Sequence, residues 1–330
     1  FNRMVSSIQE QRSGLNETLA LLDSMLANAP IGFAFFDRKY RFVRVNQFLS
    51  DMNGYAFALI PFAFAIAGLW TKRVKEWMGP ALPWTCVGMA VLGTGTLTGG
   101  AWAYEYRSFG GFWAWDPVEN ASLVPWLTLV GTGHLLLINK RKDTSLFTAL
   151  FLALLTFLLV LYSTFLTRSG VLGDTSVHSF TGEGMLPGLL IFMLTFVTLA
   201  VASLNTDRTD RLFYFGISLV IFILGVTLEV QVPAIILFTI VSVAMTVVAY
   251  RKGPFHHNEE EQVLSREFWL FIGSLVLMLS AMQIIFSTSM PVFNLLLAPF
   301  HNAFEGLHNL TGWNWPHTLA QAKLAPPVEA

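Results

Sequence analysis

Eight separate stretches of this 330-residue chain are apolar for long enough to cross a lipid bilayer, and nothing else in the sequence limits its fold as much. A helix of about 17–25 residues spans the hydrocarbon core. The runs fall at 55–71, 84–104, 117–138, 146–167, 185–203, 211–229, 232–250 and 268–290. Lipid offers no hydrogen bonds, so the backbone must satisfy itself and each run is expected as a helix. The runs are apolar nearly all round, as lipid-embedded helices should be, and Pro61 in the first is tolerable there. Only 12% of the chain is charged, against about 25% in a soluble domain. The expected fold class is therefore all-α, a polytopic membrane protein with about eight transmembrane helices and a small non-membrane α/β-like N-terminal fragment.

Lysine and arginine set the orientation. One set of alternate loops carries Lys72, Arg73, Lys75, Lys140, Arg141, Lys142, Arg208, Arg211, Arg251, Lys252 and Arg266, while the other carries Arg107, Arg168 and Lys323. The basic set should face the cytoplasm. The stretch at 110–127, the loop at 168–184 and the tail from Pro291 onward are then expected outside. Lipid surrounds the spans, and the net charge of −1 with no basic patch gives no reason to expect nucleic acid.

Residues 1–54 follow a different pattern. An amphipathic helix is expected through "LNETLALLDSMLANAP", followed by strand-like runs "IGFAFFD" and "RFVRVN" around a charged turn. The stretch "LLDSMLANAPIGFAFFDRKYRFVRVNQFLSDMNGY" resembles the first part of a PAS sensor domain. It covers about 35 residues of the roughly 100 such a domain needs, so a closed ligand pocket is not expected, and residues 1–54 read as a partial or fused segment.

The densest chemistry lies between the second and third spans, in "GGFWAWDPVENASLVPWL" at 110–127. Two readings apply. Trp102, Trp113, Trp115 and Trp126 suit an interfacial aromatic belt, since an indole has an apolar body and one polar tip. "DPVE" suits a helix start, with Asp116 as N-cap, Pro117 at the first helical position and Glu119 completing a capping box. The alternative is a binding surface. Glycines allow close approach, indoles offer flat faces, and Arg107, Asn120 and helix N–H groups could hold acidic edges. A flat, apolar, porphyrin-sized ligand with carboxylates matches that set. Cys86 is the only cysteine, which excludes a disulfide framework, a thiolate cluster and covalent haem attachment through a C-x-x-C-H motif.

"FGGFWAWDPVENASLVPWL" resembles the tryptophan-rich WWD signature of haem-handling membrane proteins, and its "WDPVENAS" form is similar to the haem lyase subunit of bacterial cytochrome c maturation, the CcmF/NrfE family. The likeness continues through "STFLTRSGVL" at 163–172, "SVHSF" at 176–180 and "LSREFWLFIGSLVLMLSAMQIIF" at 264–286. Phe109 and Phe112 stand where the family has Trp, which keeps the aromatic faces and loses two N–H donors. The pair of spans at 211–250 has no clear counterpart. The resemblance implies haem held at the outer face by the WWD loop over 102–127 and ligated by His178 in its "SVH" motif. It also implies a buried b-type haem on His134.

His134 lies in the third span, where an ionisable group is costly enough to suggest function. It is 18 residues beyond Asp116, about 27 Å along a helix at 1.5 Å per residue, so one haem cannot touch both places. A plain hydrogen bond to a neighbouring helix is the alternative. For His178 the alternatives are iron ligand and ordinary loop histidine. No later span contains a second histidine, and "QFLSDMN" before the first span has none where the family carries an axial ligand. His256 and His257 fall in a cytoplasmic loop and His301, His308 and His317 in the outer tail. The tail's "LAPPVEA" resembles a mid-protein segment of the family, so the chain is expected to be truncated.

The expected function is a haem-binding subunit of cytochrome c assembly in the bacterial inner membrane, presenting haem on the periplasmic face for attachment to apocytochrome c. Its expected partners are a haem chaperone, apocytochrome c and other maturation subunits. Haem lyase activity is expected to be impaired, because one ligand of each haem is missing. Two other classes remain open. A haem exporter or unrelated transporter would use the same loop or the glycine-rich "GTGTLTGG" at 93–100, which reads equally well as close helix packing. A membrane-tethered sensor would use residues 1–54. No phosphate-binding G-x-x-x-x-G-K-[ST] loop is present.

Overall fold

The computed structural model describes residues 34–36, 42–45, 47–105, 111–141, 145–172, 185–253 and 265–297. Two short strands, β1 (Ala34–Phe36) and β2 (Phe42–Val45), pair antiparallel with Phe35 opposite Arg44, where the two strand-like runs were expected. Eight long helices follow: α1 (Gln47–Trp70), α2 (Met78–Glu105), α3 (Pro117–Asn139), α4 (Leu146–Arg168), α5 (Leu186–Leu204), α6 (Arg208–Thr227), α7 (Gln231–Lys252) and α8 (Arg266–Thr288). A shorter helical stretch over 290–297 continues beyond α8. The amphipathic helix expected within 15–30 lies outside the described residues.

Each helix covers one expected span. Six of them, α3 to α8, are long and apolar enough to cross a membrane. Within α1, Gly54–Trp70 is a shorter apolar stretch. Helix α2 is long, but its run of Gly and Thr over 93–100 dilutes its apolarity. Helix α1 begins at Gln47, so it runs without a break through the boundary at residue 54 set by composition.

In lipid, helix association depends on close packing and interhelical hydrogen bonds, because tails and side chains are equally apolar. Helices α1, α2, α4 and α5 share a core of Ala58, Phe62, Ala65, Trp77, Ala153 and Phe157. The alanines allow close approach. The rings fill what remains, with Phe62 5.0 Å from Phe157 and Phe157 5.4 Å from Phe196. Helix α3 is central to the other half, packing on α2, α4 and α8. Leu135, Ile138, Ala149 and Leu152 form its core with α4, and the Thr132 and Thr156 hydroxyls meet at 3.3 Å. Helices α6 and α7 form a hairpin that rests on α5, where the buried Tyr214 hydroxyl meets Ser242 at 2.7 Å.

Hydrogen bonds fix which ends lie together. On one side the Trp70 indole N–H donates to Ser203, Arg211 donates to the Asn205 carbonyl and Lys252 pairs with Asp210 at 2.7 Å. These ends of α1, α5, α6 and α7 carry the basic residues. At the other end of the bundle, the start of α3 meets the ends of α4 and α8.

Candidate functional site

The loop entering α3 is built by its own sequence. Pro117 occupies the first helical position, where its missing N–H is no loss. The Asp116 carboxylate accepts from the Val118 N–H at 2.8 Å. Glu119 reaches back and accepts from the Asp116 and Ala114 N–H groups at 3.2 and 2.9 Å. That reciprocal arrangement is the capping box expected from "DPVE". An N-cap of this kind contributes about 1 kcal/mol, and both acidic groups sit where the helix dipole favours negative charge.

Immediately before the cap the backbone turns sharply. Gly111 has φ +110° and Trp115 has φ +58°. The glycine is at ease there; the tryptophan is not, because its Cβ crowds the neighbouring peptide. Such a residue stores about 1–3 kcal/mol of strain and persists only when its surroundings over-determine it. The turn directs the Trp115 ring outward, 62% exposed, with the half-buried Trp113 ring edge-on at 6.3 Å between centroids and an 83° interplanar angle. The Trp113 Nε1 is buried with no hydrogen-bond partner among the described residues. An indole N–H can only donate, so Trp113 presents a donor lacking its acceptor.

The loop docks back on α2 through a glycine. A Cβ on Gly100 would lie 2.8 Å from the Phe112 carbonyl oxygen and about as close to its ring, so only hydrogen fits. Beneath the loop, the buried Asn120 amide donates to the Trp115 carbonyl at 3.0 Å and to the Thr288 hydroxyl of α8 at 3.3 Å. Beside it, the Tyr162 hydroxyl of α4 donates to Ser289.

The residues singled out from sequence therefore separate into groups. Trp113, Trp115, Asp116, Glu119 and Asn120 come together, with the carboxylates bonded into the cap and Asn120 beneath the strained turn. Trp126 is placed elsewhere: about three turns into α3, its indole N–H donates to the Met89 carbonyl at 3.0 Å and its ring fills the gap left by Gly93. His134 is deeper still and half-buried, with Nδ1 buried and unpartnered among the described residues. Facing it is Gly273 of α8, where a Cβ would lie 3.8 Å from Nδ1. Next to that contact Ser274 donates to the Gly131 carbonyl at 3.2 Å. Arg107, His178 and the Trp102 side chain lie outside the described residues, as do His256, His257, His301, His308 and His317. Thr288, Ser289 and Tyr162 had not been picked out from sequence. They are small or common residues at span ends, and their meeting depends on how α4 and α8 pack.

Fold and loop together define a class: a multi-pass helical membrane protein whose central helix starts from a capped, strained tryptophan turn at one end of the bundle. Comparisons with known proteins take this further. Residues 50–172 match the family described as Cytochrome C assembly protein. The cytochrome c-type biogenesis protein CcmF of Pseudomonas aeruginosa is 42% identical over 149 residues, 45% of this chain and 22% of that protein. The CcmF of Escherichia coli K12 is 40% identical over 149 residues, with the same coverage. The probable cytochrome c-type biogenesis protein NrfE of E. coli K12 is 36% identical over 121 residues, 37% of this chain and 22% of that protein. A solved structure of the cytochrome c heme lyase CcmF superposes with a TM-score of 0.42 at 21% identity, over 81% of this chain and 46% of that one. Over residues 50–172 the chain is thus similar to cytochrome c-type biogenesis proteins of the CcmF and NrfE kind, and the match spans 22% of the length of these relatives.

Proposed function

We propose that this chain handles haem in cytochrome c maturation, in the bacterial inner membrane, offering haem on the periplasmic face for covalent attachment to apocytochrome c. The observation that carries the reading is the Trp113–Trp115 pair, one ring exposed on a strained backbone and the other holding a buried donor without an acceptor among the described residues. It falls within the segment matched to the family. An outward ring on an over-determined turn suits a flat partner, and an unpaired indole N–H suits the carboxylate edge that haem propionates would supply.

On this reading Trp113 and Trp115 would hold the face of the haem, and the resemblance implies Trp102 and Arg107 as further haem-binding residues, Arg107 for a propionate. Asp116 and Glu119 set the start of α3, so that its N–H groups and the loop stand in one fixed arrangement. His178 would ligate the iron, as the resemblance implies. Trp126 keeps α2 and α3 together below the loop. Apocytochrome c brings the thiols, so no nucleophile is needed from this chain; its own contribution is positioning and control of iron ligation. A haem chaperone and further maturation subunits complete the set of partners. The donor chemistry at His134 also suits a buried b-type haem, because one imidazole nitrogen has no partner among the described residues of the bundle. When bound, such a haem would supply electron transfer.

The test is a haem titration of the purified full chain, followed by absorption spectroscopy. His178→Ala, and Trp113→Ala with Trp115→Ala, are each expected to weaken binding at least tenfold and to change the iron's spectrum. Identical spectra and affinities in all three proteins would remove the assignment. Formation of thioether bonds with a C-x-x-C-H peptide separates attachment from a haem-exporting role.

A further inference from the structure

We infer that Asn120 and Thr288 form a bracket that holds Trp115 in its outward, left-handed conformation, making the end of α8 a positioning element of the tryptophan loop. The inference rests on the reading above for its functional meaning, but the bracket is a property of the chain itself.

Asn120 is 5% exposed and sits in the first turn of α3. An asparagine amide has two N–H donors, and both are used here: one on the Trp115 carbonyl at 3.0 Å, the other on the Thr288 hydroxyl at 3.3 Å. The Thr288 hydroxyl gives its single proton to the Ile284 carbonyl at 2.7 Å, so toward Asn120 it can only accept. The donor sense of the contact is thereby settled. Rotating the amide by 180° would put its oxygen against the Trp115 carbonyl, acceptor against acceptor, so the observed orientation is the stable one. What remains on Asn120 is the Oδ1 atom, buried and without a partner among the described residues. A buried acceptor cannot bind a carboxylate at neutral pH. Asn120 therefore acts on a ligand edge only through what it holds, and what it holds is the strained peptide of Trp115.

The geometry assigns a part to α8 that no motif suggests. Thr288 lies 168 residues beyond Asn120, and its neighbour Ser289 takes a second tie from Tyr162 of α4. The strained turn is thus anchored to a helix end that is itself fixed to another helix. Removing either half of the bracket leaves Trp115 free to relax toward negative φ, which swings its ring away from Trp113.

The experiment uses the full chain in lipid nanodiscs without haem, labelled with 5-fluorotryptophan, the Trp115 resonance being assigned through Trp115→Phe. In Asn120→Asp, which keeps the shape of the side chain and removes both donors, the resonance is expected to shift and broaden. Thr288→Val should do the same, while Thr288→Ser, which retains the acceptor, should restore the original line. Helix content by circular dichroism is expected to stay constant throughout. If Thr288→Val and Thr288→Ser give the same Trp115 line as the unaltered chain, the bracket does not exist; an unfolded Asn120→Asp would not rescue it, because the threonine pair decides alone. Haem is then added to each sample. An intact bracket in a chain that binds no haem would overturn the functional reading and leave this inference standing. Normal haem affinity and spectrum in Thr288→Val, with the Trp115 line displaced, would show that the bracket does not position the haem surface.

Discussion

At the scale of single residues, Trp115 carries two opposing contributions that can be separated. Its positive φ costs about 1–3 kcal/mol, and its edge-on contact with Trp113 returns about 0.5–1.5 kcal/mol. Trp115→Ala loses the ring and keeps the strain; Trp115→Gly loses the ring and relieves the strain. The glycine variant is therefore expected to be the more stable of the two by about 1 kcal/mol, against the usual ranking of alanine over glycine. Denaturant unfolding of both variants in detergent measures the difference, and equal stabilities would show that the turn relaxes in solution. Part of this loop could be read directly from the residues. Asp116, Pro117 and Glu119 act within one helical turn, so their spacing in sequence is their spacing in space, and the capping box formed as expected. Asn120 was picked out as well, but its second partner could not be, since the contact with Thr288 spans 168 residues. The positive φ of Trp115 leaves no mark in sequence either, where a glycine would have announced it.

Among the helices, glycines divide into those that allow contact and those that do not. A Cβ on Gly93 would sit 2.6 Å from Trp126 Nε1, and one on Gly100 would sit 2.8 Å from the Phe112 carbonyl. Neither an indole wedged between helices nor a backbone oxygen can retreat cheaply. Gly216 in α6, exposed and with nothing within 4 Å of its Cβ position, is the control. Alanine at Gly93 or Gly100 is predicted to cost about 1–3 kcal/mol by overpacking, outweighing the gain in helix propensity of up to about 1 kcal/mol. At Gly216 only the gain remains. Thermal unfolding of the three variants should place Gly216→Ala at or above the unaltered chain and the other two below it. The outcome bears on "GTGTLTGG", which sequence alone left open between a polar path and close packing; the contacts of Gly93 and Gly100 favour packing. Helix positions themselves were legible to within a few residues, because lipid leaves an apolar run no other structure to adopt. The exceptions sit at the ends. Helix α2 starts before its apolar run, at Met78, and α1 starts at Gln47, because helical hydrogen bonding does not stop where the polarity changes.

For the molecule as a whole, the consequential feature is the return of α8. After the α6–α7 hairpin, which rests on α5, the chain comes back to pack on α3 and brings Thr288 beneath the tryptophan loop. Nothing in the order of spans requires this, since a run of apolar helices can close in several ways in lipid. The seam is lined by small groups at Gly131, Gly273 and Ser274, and a Cβ on Gly131 would lie 3.9 Å from the Ser274 Cα. That is close enough for a disulfide with only slight adjustment. With Cys86→Ser removing the one natural thiol, the pair Gly131→Cys and Ser274→Cys is expected to cross-link under mild oxidation. A protease site placed between residues 253 and 265 makes the result visible, as the cut fragments stay together on a gel until reduced. A control pairing Gly131→Cys with Val276→Cys, exposed on α8, should fall apart after cutting, because two residues along a helix turn the side chain to a different face from Ser274. If the Gly131 and Ser274 pair separates as well, α8 packs elsewhere in the membrane. The Asn120–Thr288 contact would go with it, and the tryptophan loop would depend on the α3 cap alone for its shape.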